Sequence, residues 1–158
     1  MKIKYIIDEN FQDYKKTSMM LATCCCDWKC LKELNLDISM CQNSQIAQQK
    51  NIEVSIESII NRYLNNPITQ AVVIGGLEPM LQFDEVLEFI KQFRKYSNDD
   101  IVIYTGYYPE EIQDKIKELI QYKNIIIKFG RYIPNKDKRF DEVLGVWLAS
   151  DNQFAVKY

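Results

Sequence analysis

The sequence predicts an α/β fold with a mainly parallel sheet, and three observations carry that expectation. Apolar, β-branched runs recur along the chain, at Ala71-Val72-Val73-Ile74, which is continuously apolar, at Ile101-Val102-Ile103-Tyr104 and within Asn124 to Phe129. Runs of this kind are what strands buried on both faces look like. Between them lie segments of ten or more residues with helical spacing, and that alternation implies right-handed strand–helix–strand crossovers. Each run also stops at glycine, in Gly75-Gly76, Thr105-Gly106 and Gly130.

In chain order, Ile3 to Ile7 is a short β-like run ended by Asp8-Glu9-Asn10, and Ser18 to Thr23 reads as a buried strand. Residues 31 to 50 are polar and irregular, with short helices expected at Leu31 to Leu34 and at Ser44 to Gln49. Ser55 to Leu64 carries apolar residues at Ile56, Ile59, Ile60, Tyr63 and Leu64, which is helical spacing, and Ser55 is placed to cap it. Asp84 to Tyr96 is an amphipathic helix whose early acids and late Lys91, Arg94 and Lys95 match the helix dipole. A further helix is expected from Pro109 to Tyr122, with the proline in its first turn. Val143 to Leu148 reads as a last strand, and Ala149 to Tyr158 as a short mixed tail.

Length and composition narrow the classes. At 158 residues, 47% hydrophobic and 27% charged, the chain reads as one soluble domain spanning 1–158. A net charge of −2 argues against charge-driven binding to nucleic acid or to an anionic membrane. No apolar run reaches the roughly 18 residues of a membrane span. The N-terminal residues lack a signal-peptide pattern, so a cytoplasmic location is expected.

That location decides how the cysteines are read. All five lie between residues 24 and 41, as Cys24-Cys25-Cys26-Asp27-Trp28-Lys29-Cys30 and then Cys41-Gln42-Asn43, and the chain has no histidine. An odd number of thiols gathered in a reducing compartment is a poor disulfide framework and points to a metal or cluster site, or to redox catalysis. Cys26 and Cys30 form a tight pair, and Cys41 returns after ten residues. Zinc fingers more often show two such pairs. One pair plus one cysteine gives three ligands, unless Cys24 or Cys25 supplies a fourth. Three thiolates on a [4Fe-4S] cluster leave one iron open.

The second motif is Gly75-Gly76-Leu77-Glu78-Pro79, which follows a buried strand. Paired glycines let the backbone approach a ligand closely, and Glu78 adds a charge that suits an ammonium group. In parallel α/β sheets ligands sit beyond the carboxyl ends of the strands. The cysteines, Gly75-Gly76, Thr105-Gly106 and Gly130 all fall at those ends.

Together the two motifs resemble the radical S-adenosylmethionine enzymes, in which three cysteines after the first strand hold a [4Fe-4S] cluster and a Gly-Gly-Glu-Pro segment binds the methionine amino group. Tyr104-Thr105-Gly106-Tyr107, Gly130-Arg131-Tyr132-Ile133, Ser150-Asp151-Asn152-Gln153 and Cys41-Gln42-Asn43 are similar to segments of one branch, the activating enzymes of anaerobic (class III) ribonucleotide reductase. The sequence departs from that pattern in three places. The third cysteine is expected at Glu33, so Cys41 takes that role and residues 31–40 become an insertion. Leu77 is inserted within the glycine motif, and Phe129 replaces an expected aspartate.

The resemblance implies a small, shortened (partial) βα barrel. It implies cluster ligation by Cys26, Cys30 and Cys41, and cofactor contacts from Met40, Gly75, Gly76, Glu78, Tyr104 and Thr105. The implied cofactors are a [4Fe-4S] cluster and S-adenosyl-L-methionine, which is cleaved to methionine and a 5′-deoxyadenosyl radical. The implied partners are a large glycyl-radical enzyme, such as a ribonucleotide reductase, and a reductant such as flavodoxin or ferredoxin. Two other functions are consistent with the residues alone: a radical enzyme acting on a small molecule or peptide, and a non-enzymatic iron–sulfur or zinc module.

Overall fold

The computed structural model describes all 158 residues. Nine strands and five short helices follow the order β1 (Lys2–Asn10), β2 (Ser18–Thr23), α1 (Lys29–Lys32), α2 (Ser44–Gln48), β3 (Ile52–Glu53), α3 (Ile56–Leu64), β4 (Ala71–Gly75), α4 (Phe83–Phe93), β5 (Asp100–Tyr104), α5 (Gln113–Leu119), β6 (Ile125–Phe129), β7 (Arg139–Asp141), β8 (Val146–Leu148) and β9 (Phe154–Lys157). No helix is long and apolar enough to cross a membrane.

Seven strands form one sheet in the order β3-β1-β2-β4-β5-β6-β9. The central four, β2, β4, β5 and β6, are parallel. Antiparallel strands flank them, β1 and β3 on one side and β9 on the other. The mixed α/β architecture with a mainly parallel centre is therefore the one that the apolar runs predict.

Alternate residues of the parallel strands feed two separate cores, because side chains of a strand point to opposite faces in turn. Met19, Leu21, Val72, Ile74, Ile101, Ile103, Ile125 and Ile127 face the helices, where they meet Ile59, Ile60 and Tyr63 of α3 and Val86, Phe89, Ile90 and Phe93 of α4. Tyr63 and Phe93 pack edge to face with centroids 4.9 Å apart. Met20, Val73, Val102 and Ile126 face the other way, against Tyr14, Leu144 and Leu148. Full burial of one such side chain contributes about 1.5–3 kcal/mol.

Several boundaries differ from expectation. The helix expected from Pro109 to Tyr122 divides into a 3-10 turn at Pro109–Glu111 and α5, because Ile112 leaves helical geometry at φ −134°, ψ 29°. The helix expected from Asp84 starts at Phe83, after a 3-10 turn at Pro79–Gln82 whose Met80 N–H donates to the Glu78 side chain. The strand expected from Val143 shrinks to Val146–Leu148 and pairs with β7 in a separate two-stranded sheet. Gly145, at φ +73°, supplies the turn that delays it. The tail read as mixed contains β9, which pairs with β6 in register Phe129↔Phe154 and caps that side of the sheet. Ser55 caps α3 through its hydroxyl as expected, accepting from the Ser58 N–H at 3.1 Å.

Candidate metal and cofactor site

A cavity of about 430 Å³ opens at the carboxyl ends of β2, β4, β5 and β6. Its floor is the hairpin-facing side of the sheet, with Tyr5, Ile7, Met20, Val73, Tyr104 and Lys128. Its rim carries Cys26, Cys30 and Cys41. Cys24 and Cys25 do not line it. The division follows from the chain path: β2 ends at Thr23, and the left-handed Trp28, at φ 60°, turns the backbone into α1.

Local hydrogen bonds orient two of the three rim thiols. The Trp28 N–H donates to Cys26 Sγ and the Asn43 N–H to Cys41 Sγ, both at 3.3 Å. Burial pushes the Cys26 thiol up to about 12, with Glu78, Cys30 and Asp27 adding to the rise. Burial also raises Cys30, and the neighbouring Cys41 sulfur adds to it. A bound cation reverses this balance and expels the protons.

Cys41 returns to the site because its segment is hooked onto the glycine motif, with Asn43 Nδ2 donating to the Gly76 carbonyl. Gly76 has φ +80°, and a Cβ on it would stand 3.0 Å from Ala22 Cβ, so a side chain there is excluded twice over. The Gly75 carbonyl accepts from Thr23 Oγ1 at 2.9 Å. Glu78 is buried beside them, and its own N–H donates to the Cys25 carbonyl at 2.8 Å. Its carboxylate accepts from Thr105 Oγ1 at 2.7 Å, Gly106 N at 2.8 Å and Met80 N at 3.0 Å. Burial still holds its pKa above the ordinary value, because desolvation outweighs those three donors. Leu77 is thus accommodated by a short turn, Leu77 N to Gly75 O at 3.0 Å, and the carboxylate remains at the strand ends.

Gly76, Glu78, Tyr104 and Thr105 line the cavity with the three thiols, and Gly75 lies immediately behind Gly76. Met40 does not join them. It ends the 3-10 turn Ile38–Met40 and is 46% exposed outside the cavity lining. Glu33, where the third cysteine was expected, faces Arg131 instead, with Glu33 Oε1 accepting from Arg131 Nη2 at 2.9 Å.

Further residues hold this site together. Lys128 is buried on the cavity floor, and its only protein acceptor is the Gly130 carbonyl at 2.9 Å. Burial pulls its ammonium down to about 7, against the attraction of Glu78 and Cys30. The signal in the sequence is a lone charge inside Ile125-Ile126-Ile127-Lys128-Phe129. Asp27 accepts from the Tyr107 hydroxyl at 2.6 Å and so ties the cysteine loop to the end of β5. Arg131, almost fully buried, makes paired 2.6 Å bonds to Glu111. Arg131, helped by Lys29, holds the Glu111 carboxyl well below the usual carboxylate range despite the opposing effect of burial. No pattern along the chain marks these pairs, because their members are 20 to 98 residues apart.

The donor set fits an iron–sulfur cluster. It is made of sulfur alone, it faces a shared cavity, and backbone N–H groups donate to two of the three rim sulfurs, as they do where such donors tune a cluster. No three Cys, Asp or Glu side chains gather tightly enough to share one ion. A cluster places its thiolates on separate irons, so thiols that share a cavity without converging on a point suit it better than a mononuclear site.

An α/β protein with a thiol-rimmed cavity at its strand ends is the class that this geometry defines. The chain belongs to the family described as the 4Fe-4S single cluster domain, which it matches over residues 16–155. It is also 33% identical over 132 residues to a protein of Methanocaldococcus jannaschii named "Putative glycyl-radical enzyme activating enzyme". That match takes in 80% of this chain and 51% of the relative, so the chain spans about half the relative's length. No solved structure matches the chain.

Proposed function

We propose that the chain is an activase of the radical S-adenosylmethionine type, built as a shortened βα barrel, with Cys26, Cys30 and Cys41 holding a [4Fe-4S] cluster. One observation carries the reading: these three thiols share a cavity with Gly76, Glu78, Thr105 and Lys128, whereas Cys24 and Cys25 are turned out of it. When bound, the cluster supplies one electron that splits S-adenosylmethionine into methionine and a 5′-deoxyadenosyl radical. The protein's part is binding, orientation and exclusion of water.

The residues suit the zwitterionic end of that cofactor. The Gly76 carbonyl, which keeps a second lone pair beside its bond to Asn43, and the Glu78 carboxylate are acceptors for the amino group. Lys128, with one bond to the protein and two donors to spare, is the counter-charge for the carboxylate. Tyr104 is fixed by its hydroxyl bond to the Asp13 carbonyl and presents a ring wall to the cavity. The hydrogen donor is a glycine of a glycyl-radical enzyme, ribonucleotide reductase in the resemblance, and the electron comes from a flavodoxin or ferredoxin. The name of the Methanocaldococcus relative supports the first of these.

The test is anaerobic reconstitution with iron and sulfide, then reduction in the presence of S-adenosylmethionine. The expected result is a [4Fe-4S] signal and release of 5′-deoxyadenosine. Cys41→Ala should lose the cluster and Cys24→Ala should keep it. A cluster that forms without yielding 5′-deoxyadenosine would leave an iron–sulfur module and refute the activase.

A further inference from the structure

Cys24 and Cys25 are adjacent, partly exposed, outside the cavity lining and unused by the proposed cluster. Their sulfurs lie 3.3 Å apart. The backbone between them is held on both sides: the Cys24 N–H donates to Gln82 Oε1 at 2.8 Å, and the Cys25 carbonyl accepts from the Glu78 N–H at 2.8 Å. We infer that Cys24 and Cys25 are a modification site, a vicinal dithiol that a small disulfide of the glutathione class oxidises to an internal disulfide.

The chemistry balances without any other reactant. One thiolate of the pair attacks the small disulfide, forming a mixed disulfide and releasing one thiol. The neighbouring thiol then attacks the protein-side sulfur, forming the Cys24–Cys25 bond and releasing the second thiol. Two electrons pass from the pair to the small disulfide, and the two protons leave on the released thiols.

Adjacency makes this bond a reversible one. Consecutive Cα atoms are about 3.8 Å apart, closer than the roughly 4.4–6.8 Å of ordinary disulfides. Closing the ring therefore twists the peptide between the two cysteines. Strained, exposed disulfides have more oxidising potentials and are readily reduced again. The Cys25 carbonyl, in the peptide directly after the twisted one, receives the Glu78 N–H, so oxidation disturbs the anchor of the glycine-motif turn. This second consequence rests on the cofactor reading of the cavity; the thiol chemistry does not.

The test uses the full chain carrying Cys26→Ser, Cys30→Ser and Cys41→Ser, so that only the pair remains, treated anaerobically with oxidised glutathione. Intact mass should fall by two hydrogens with no retained glutathione, proteolytic mapping should place the bond within the pair, and excess dithiothreitol should reverse it. The same chain with Cys25→Ser as well should keep one glutathione. A stable adduct on the pair-bearing chain, or no reaction, overturns the inference. Should the triple variant not fold, the wild-type chain is mapped in the same way, and a bond from Cys24 or Cys25 to any other cysteine is equally fatal. For the regulatory arm, oxidation of the cluster-loaded chain should weaken S-adenosylmethionine binding at least tenfold, reversibly, and leave a Cys24→Ser/Cys25→Ser chain unaffected. Absence of binding before oxidation removes the proposed function and leaves the mass result standing. Binding unchanged after oxidation removes the regulatory role.

Discussion

Lys128 is a buried charge that the fold itself leaves sparsely paired. It is the one charge in an otherwise apolar strand, is 6% exposed, and has one hydrogen bond where an ammonium can make three. Burying a charge so sparsely paired is unfavourable, and burial duly draws its pKa down. Lys128→Met should therefore leave the melting temperature unchanged or raised, while S-adenosylmethionine binding, followed by calorimetry, weakens by about tenfold, roughly 1.4 kcal/mol. A fall in stability with undiminished binding would assign Lys128 to structure instead. Glu78 is the opposite case, a buried carboxylate with three donors, and its position within Gly75-Gly76-Leu77-Glu78-Pro79 was readable from the motif alone. Lys128 was legible only as a lone charge beside Ile126 on one face of its strand; the cavity on that face is assembled from elements far apart in the sequence.

At the scale of elements, the cysteine loop is held from three directions. Asp27 reaches Tyr107, Asn43 reaches Gly76, and Glu33 at the start of the insertion reaches Arg131. Arg131 also grips Glu111 and the Gly106 carbonyl, so it joins α1, the 3-10 turn before α5 and the end of β6. Arg131→Ala strands two carboxylates beside each other and should cost about 3 kcal/mol or more in urea unfolding. Arg131→Lys should recover little of it, because a point charge cannot reproduce the paired geometry. An alanine variant of unchanged midpoint would show the network to be idle. The strands β4, β5 and β6 were legible because continuous apolar runs bounded by glycine have few other homes. Strand β9 was not, since Phe154 to Val156 are only partly buried and owe their conformation to pairing with β6. The choice of Cys41 over Cys24 rests on a resemblance, and what brings Cys41 to the cavity, the Asn43 bond to Gly76, depends on a contact 33 residues away.

For the whole molecule, Asp100 is the knot between the chain's two ends. At the start of β5 and 4% exposed, it accepts from Tyr14 at 3.0 Å, from Lys16, and from Lys157 of the last strand at 3.1 Å. Burial alone would raise its carboxyl, but the two ammonium donors and the Tyr14 hydroxyl outweigh that and hold it below its ordinary value. A depressed carboxyl stabilises the fold above its unfolded value near pH 4, and the contribution is lost as pH falls through the folded value. Asp100→Asn should therefore lower the melting temperature at neutral pH, by roughly 1–3 kcal/mol in stability, and the gap to wild type should close in acid below about pH 4. A gap of constant size across that range would mean that the ionic character of the knot contributes nothing.

The reach of the cysteine loop has one more consequence, for the order in which the protein is made. All three proposed cluster thiols have been synthesised by residue 41, yet the groups that fix their loop, Gly76, Tyr107, Glu111 and Arg131, emerge over the following 90 residues. Domains are synthesised from the N-terminus at a finite rate, so the growing chain carries these three thiols unanchored on an unfinished sheet until Arg131 has emerged. The last clasp arrives with Arg131, and the covering hairpin and β9 follow. Were these thiols to hold a cluster, the loop that carries them would be fully clasped only after residue 131 has been made.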